Sequence, residues 1–213
     1  VTDLTPPRSG GGRGHGGHGR HEGHDTWKIY LATDDMAKTV ETAQAKGAEV
    51  IGPSMAVADL GTQAVLVDPC GAHLGVWQPD TFQGFTVLGE PGIPSWFELS
   101  TRDHAGAVNF YRSVFDWDTN AVGDSDDFRY TTVRDPSSGE DLAGIMDAAA
   151  LLPGGIPSHW LVYWMVEDAE GAVAKVESLG GSVVMGVEES PYGRLATVAD
   201  PAGAQFKLHT PNR

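Results

Sequence analysis

Three stretches of the chain repeat one hydrophobic pattern. Strand-like runs occupy residues 28–33, 96–101 and 161–166, and each leads to an Asp (Asp35, Asp103, Asp168). Behind each Asp, apolar residues recur at helical spacing: Met36, Val40 and Ala43; Val108, Phe110, Tyr111, Val114 and Phe115; Ala169, Val173 and Val176. Gly47 and the Gly180 Gly181 pair fit the left-handed position that ends a helix. Further on, Asp68 Pro69 Gly71, Asp135 Pro136 Ser137 Ser138 Gly139 and Asp200 Pro201 Gly203 mark three hairpin turns, since Pro pre-sets φ and Gly takes the positive φ. The predicted order is βαβββ, three times.

The first and third stretches are copies. At one offset of 133 residues Trp27 falls on Trp160, Tyr30 on Tyr163, Asp35 on Asp168, Gly47 on Gly180 and Val50 on Val183. The expected fold class is α+β, with repeated βαβββ modules forming curved mixed sheets and helices on the outer face. The modules fall at about 27–79, 95–147 and 159–210, separated by the Pro/Gly-rich linkers at 90–94 and 152–157. The expected organisation is a Gly/His-rich tail over 1–26, disordered or not native sequence; a single module over 27–80 lacking its partner; and a complete two-module domain over 93–211. The tail has almost no apolar side chain with which to offset its ordering entropy. Its His15, His18, His21 and His24 are expected to give adventitious metal affinity rather than a built site.

Composition narrows the function. With 40% hydrophobic residues the chain can bury real cores. A net charge of -15 and a pI near 4.7 oppose nucleic-acid binding, which needs basic groups against phosphates. No apolar run is long enough for a membrane span, and a cytoplasmic location is expected. Cys70 is the one cysteine, so no intrachain disulfide can form, and it is read as a turn residue.

The run from Trp96 to Asp103, followed by Phe110 Tyr111 and Val114 Phe115 Asp116 Trp117, resembles the opening of a vicinal oxygen chelate module, the unit of glyoxalase I, bleomycin-resistance proteins and extradiol dioxygenases. Val166 Glu167 Asp168 and the Asp200 Pro201 Ala202 Gly203 hairpin resemble that family's second half. The layout is similar to actinobacterial glyoxalase-like proteins with four modules, and by the repeat offset a first module would lie before residue 1. The resemblance implies that paired modules form a sheet-lined cup. It also implies where metal-dependent members hold their ligands, seven residues before the helix Asp and on the last strand. Those positions here read Lys28, Trp96 and Leu161, then Gly75, Lys207 and either Ala143 or Gly144. An ammonium or an indole offers no lone pair to a divalent ion, so no metal and no cofactor are expected.

Strand alternation puts Phe97 and Leu99 on the helix side and Trp96, Glu98 and Ser100 in the cup, together with Leu161, Tyr163 and Met165, and with Gln205, Lys207 and His209 from the last strand. Lys207 is a possible partner for Glu98. Arg194 is expected at the cup mouth as an anchor for a carboxylate or phosphate. Trp160 and Trp164 fall on the opposite face. The expected function is metal-independent binding of a small organic molecule, with no catalytic residue assigned. The alternatives are a superfamily lyase or oxygenase with an off-pattern site built from Glu98, His209 and Lys207, and a structural or interaction module. An orphan first module predicts a homodimer with a composite cup.

Overall fold

The structure is a computed structural model that describes residues 25–135 and 138–212. The Gly/His run and Pro136 and Ser137 of the second hairpin turn lie outside the described residues. The first unit comprises β1 (Tyr30–Ala32), α1 (Met36–Ala45), β2 (Glu49–Val57), β3 (Gly61–Val67) and β4 (His73–Pro79). In the second, β5 (Pro94–Thr101) and α2 (His104–Phe115) precede β6 (Asp118–Asp124), β7 (Arg129–Arg134) and β8 (Asp141–Asp147). The third holds β9 (His159–Met165), α3 (Ala169–Ser178), β10 (Ser182–Ser190), β11 (Gly193–Ala199) and β12 (Gln205–Pro211). The α+β class expected from the pattern is the class found.

Local chemistry explains the boundaries. The Asp35 carboxylate accepts the Lys38 N–H at 3.0 Å and Asp103 accepts that of Gly106 at 2.9 Å, each satisfying an N–H that the first helical turn leaves open. Asp168 holds the same position on α3 without a side-chain cap bond. Gly47 and Gly180, just past α1 and α3, have φ of +96° and +87°.

In every unit the first strand pairs parallel with the last, β1 with β4, β5 with β8 and β9 with β12, and hairpins supply the rest. β5 also pairs antiparallel with β9, which fuses the second and third units into one eight-stranded sheet ordered β10-β11-β12-β9-β5-β8-β7-β6. The first unit keeps its own sheet, β1-β4-β3-β2. β1 has three residues where β9 has seven, shorter than the predicted run at 28–33; among the described strands β4 alone flanks it.

Helices cover one face of the large sheet. Leu99, Phe110, Tyr111, Val114, Ile145, Trp160 and Val162 form part of a core that continues into Leu66, Leu74 and Val76 of the first unit. Tyr111 pins this junction: its hydroxyl donates to Asp68 Oδ2 at 2.9 Å and accepts the Trp160 indole N–H at 3.0 Å. Asp68 also takes the Cys70 and Ala72 backbone N–H groups, yet burial holds its carboxyl above the usual range. Burial likewise raises the Cys70 thiol, which makes it a poor nucleophile.

Candidate functional site

Residues paired directly across a ladder point to the same face. Trp96 faces Tyr163, Glu98 faces both Leu161 and Gly144, and Tyr163 faces Lys207. Thr132 faces Gly144, Tyr130 faces Met146, and His209 faces Met165 and Leu195. All of these lie on the face away from α2 and α3. A carboxylate on a flat, uncovered sheet would be wet, but Glu98 is only 5% exposed, so the neighbouring strands curl their side chains around it.

Glu98 is the centre of a polar network. Tyr130 donates its hydroxyl to Glu98 Oε2 at 2.9 Å and accepts the Trp96 indole N–H at 2.9 Å. On the other side the Lys207 ammonium stands 3.4 Å from Glu98 Oε1 and donates to the Tyr163 hydroxyl at 2.8 Å, with its Nζ 4.8 Å from the Tyr163 ring centroid. Because Lys207 fills a lone pair of the Tyr163 oxygen, the phenol proton is free to turn to Glu98. Burial first, and the Glu98 negative charge second, push both phenols well above their ordinary range, so Tyr130 and Tyr163 stay neutral donors at any physiological pH. The Glu98–Lys207 pair adds no net charge. An ammonium has three N–H groups, and two of those on Lys207 are engaged. The third can meet a ligand oxygen.

Backbone choices make room for this cluster. A Cβ on Gly144 would overlap the Tyr130 hydroxyl and ring, so only glycine lets Tyr130 lie across β8 and reach Glu98. Tyr130, Thr132 and Met146 were not among the residues expected from sequence, and Gly144 stood there only as one of two readings of a last-strand position. The Tyr130 Thr131 Thr132 Val133 alternation carried that signal for β7, but the partner strand of β7, and hence its facing, is a tertiary fact.

The other expected residues sort as follows. Trp96, Glu98, Ser100, Leu161, Tyr163, Met165, Lys207 and His209 share the helix-free face, and Gln205 sits exposed at the start of β12. His209 is tied at both nitrogens, Nδ1 to the Ser95 hydroxyl at 3.1 Å and Nε2 to the Tyr192 carbonyl at 3.0 Å. A carbonyl only accepts, so Nε2 carries a proton toward Tyr192. Arg194 is a correction. Its neighbour Leu195 faces His209, so alternation turns Arg194 to the helix side, where it pairs with Glu170 at the start of α3 and, at 3.0 Å, with Glu189. It is no anchor for a cup ligand.

The donors present do not suit a divalent metal. At the ligand positions implied by the family resemblance stand Trp96, Leu161, Lys207 and Gly144, the last now fixed by its pairing with Glu98. The one carboxylate there is spent on Tyr130 and Lys207. Among the described residues no group of three or more His, Cys, Asp or Glu side chains is placed to hold a metal ion. His159 is occupied locally, with Nδ1 3.0 Å from the Pro157 carbonyl oxygen.

Two cavities lie away from Glu98. One of about 240 Å³ sits between the Asp68 turn and α2, beside Lys46, Cys70, Asp103 and Asn109. A larger one, about 760 Å³, runs along β1 and reaches the helix side of the large sheet at Phe97, Trp160 and Trp164.

Two curved βαβββ units sharing a central antiparallel pair define a class of small-molecule scaffolds, and sequence comparison agrees. The profile of the Glyoxalase/Bleomycin resistance protein/Dioxygenase superfamily matches residues 93–208, and the chain belongs to that superfamily. It is 35% identical over 198 residues to the anthracycline biosynthesis protein DnrV of Streptomyces peucetius, covering 90% of this chain and 68% of that one. It is 31% identical over 186 residues to CFP32 of Mycobacterium tuberculosis, which carries a glyoxylase name, covering 87% and 69%. Among solved structures, the Mn(II)-bound glyoxalase of Novosphingobium aromaticivorans superposes with a TM-score of 0.54 at 16% identity, over 85% of this chain and 61% of that one. The 2,3-dioxygenase LapB of Pseudomonas sp. KL28 gives 0.54 at 16%, over 86% and 71%. At such identities these two likenesses show the fold alone. This chain spans under two thirds of the glyoxalase's length.

Proposed function

We propose that the protein binds a small, oxygen-bearing aromatic molecule on the helix-free face of the eight-stranded sheet, without a metal. The observation that carries this is the network of Glu98, Tyr130, Tyr163, Lys207 and Trp96. It offers aromatic walls, a free ammonium N–H and no vacant metal donors. Met146, Leu161 and Met165 add adaptable apolar surface. The anthracycline biosynthesis name of one relative supports a polycyclic phenol or ketone as the ligand class. Glu98 and His209, the candidates for acid–base work, are both engaged, which favours binding over proton transfer. In this reading residues 93–211 are a complete two-module domain, 27–80 a single module, and the protein a cytoplasmic homodimer. Among the described residues no helix is long and apolar enough to cross a membrane.

The test is a fluorescence titration with an anthracycline, with Trp96 as the reporting indole. One saturable site per chain is expected, weakened about tenfold or more in Lys207→Met, in line with ~1.5 kcal/mol for a hydrogen bond to a charged group. Binding unaffected by that substitution, or no binding, would sink the reading.

A further inference from the structure

The Glu98 network continues outward as a row of rings. Tyr163 faces Trp96 across β5 and β9, and the Trp96 indole N–H meets the Tyr130 hydroxyl. The Tyr130 ring in turn lies parallel to that of Phe128, with centroids 5.9 Å apart and an interplanar angle of 5°. Burial falls along this row: Tyr163 is 7% exposed, whereas Phe128, just before β7, is 47% exposed. Lone exposed aromatics are ordinary on a protein surface. Phe128 differs because local structure holds it. The Ser125 N–H donates to the Phe128 carbonyl at 3.0 Å, and the Ser125 hydroxyl accepts the Phe128 N–H at 3.1 Å. A Cβ on Gly123 of β6 would overlap the Phe128 ring, so glycine there lets the ring lie down on the sheet, as Gly144 does for Tyr130. Two parallel rings, each laid over a glycine, form a platform.

Tyr192 stands at the opposite rim, 64% exposed on the turn between β10 and β11. His209, on the helix-free face, donates to the Tyr192 carbonyl at 3.0 Å and so tips this turn toward the cup. Asn212 holds the turn from the other side, donating to the Pro191 carbonyl at 2.9 Å. β11 and β7 are five strand spacings apart in the sheet, ~24 Å if it were flat. Yet the Tyr192 phenol, after burial and the Glu98 charge, is among the causes that hold the Tyr130 phenol above its ordinary range. The sheet therefore curls until its two rims face each other, with Tyr192 across from the platform of Tyr130 and Phe128.

The inner end of the row is set by hydrogen-bond polarity. Tyr130 and Lys207 engage the two Glu98 oxygens, and Trp96 and Lys207 engage the two phenol oxygens, which leaves the third N–H of Lys207 for a ligand. A donor there selects an acceptor, such as a ketone or quinone carbonyl. Between Lys207 and Phe128 lie Glu98 and the whole of the Tyr130 ring, more than a single ring spans.

We infer that Phe128 and Tyr192 form an outer aromatic subsite, through which the protein selects a planar fused-ring ketone or quinone over a single-ring one. The carbonyl end meets Lys207, and the far ring lies between Phe128 and Tyr192. This subsite rests on the ligand site proposed at Glu98, and it can fail while that site stands.

The experiment is equilibrium dialysis of the full chain against an anthracycline and against acetophenone, which has one ring and one carbonyl. Phe128→Leu and Tyr192→Leu should each weaken the anthracycline about tenfold, the size of one lost aromatic stack, and change acetophenone by less than about twofold. Phe128→Tyr, which keeps the ring, should bind both as the wild type does. Lys207→Met should weaken both ligands. Far-UV circular dichroism should be the same throughout, since both rim side chains are exposed. Phe128→Leu that keeps the anthracycline, or that loses both ligands equally, overturns the inference. Anthracycline binding that responds to Lys207→Met and to neither rim variant removes the outer subsite and leaves the Glu98 site. A wild type that binds no anthracycline removes both. Should acetophenone bind too weakly to measure, the two Phe128 variants still decide: equal anthracycline affinity in Phe128→Leu and Phe128→Tyr rules out a stacking role.

Discussion

Removing the Lys207 charge tests whether Glu98 is held by its ammonium or by its phenols. In Lys207→Met the stem packing is retained, but a carboxylate 5% exposed loses the one cationic neighbour it has among the described residues. Breaking a fully buried pair costs ~3–5 kcal/mol. Two conditions reduce that here: the Lys207 side chain is 19% exposed, and Tyr130, with the Tyr163 phenol beside it, still donates to the carboxylate. A loss of about 2 kcal/mol is expected, which for a chain of this size lowers Tm by roughly 4–8 °C. Glu98→Gln alone should cost about 1 kcal/mol, since the stranded ammonium keeps Tyr163 and some water. With both substituted, no charge is left uncompensated, and the double variant should be no less stable than Lys207→Met. Urea denaturation of the four proteins gives the cycle, read from midpoints at constant slope. A coupling of about 1 kcal/mol or more is the expected result. If the two losses simply add, the pair contributes nothing, and the phenols alone hold Glu98.

Two further outcomes follow from other parts of the structure. Gly144→Ala drives a methyl into the Tyr130 hydroxyl and ring; the expected cost is ~1–3 kcal/mol, with loss of the anthracycline titration, and a variant that binds normally would show that Tyr130 is dispensable. His104, with Nε2 3.1 Å from the Thr131 hydroxyl, is held below its usual pKa chiefly by burial, with Asp147 opposing the shift. Its contribution to stability is therefore fully present above pH 6.5 and is lost as pH falls through its lowered folded value, by less than about 1 kcal/mol because the ring is partly solvated. Denaturation midpoints of wild type and His104→Gln across pH 5–8 check this. A wild-type midpoint that rises on acidification relative to the variant would reverse the sign.

Much of the architecture was legible because each repeat states it locally. Asp35, Asp103 and Asp168 mark the helix starts, Gly47 and Gly180 two of the stops, and the Asp-Pro turns two hairpins, all by chemistry that acts within four residues. Parity along β5, β9 and β12 was legible for the same reason, since a strand flips its side chains at every residue whatever lies beside it. What stayed hidden depends on neighbours. Gly144 owes its importance to the ring of Tyr130, and that contact exists only once β7 lies against β8. Arg194 failed as an anchor because a polar, solvent-tolerant side chain gives no signal of which face it takes. Its facing is set by the register of β11 against β12 and fixed by Glu170 of α3.

One register position shows how a repeated backbone acquires distinct chemistry. In each unit the residue five before the helix Asp opposes one residue on the last strand: Tyr30 with Gly75, Glu98 with Gly144, Tyr163 with Lys207. The backbone is the same three times, and the pairs differ in what they leave free. Gly75 lets the Tyr30 ring lie flat on the sheet, giving a wall with no charge. Gly144 gives the same space to Tyr130 from the adjacent strand, which leaves Glu98 upright. Lys207 fills the space itself and so brings a cation to the carboxylate of the other unit. The charged network therefore exists only where unlike units meet across β5 and β9.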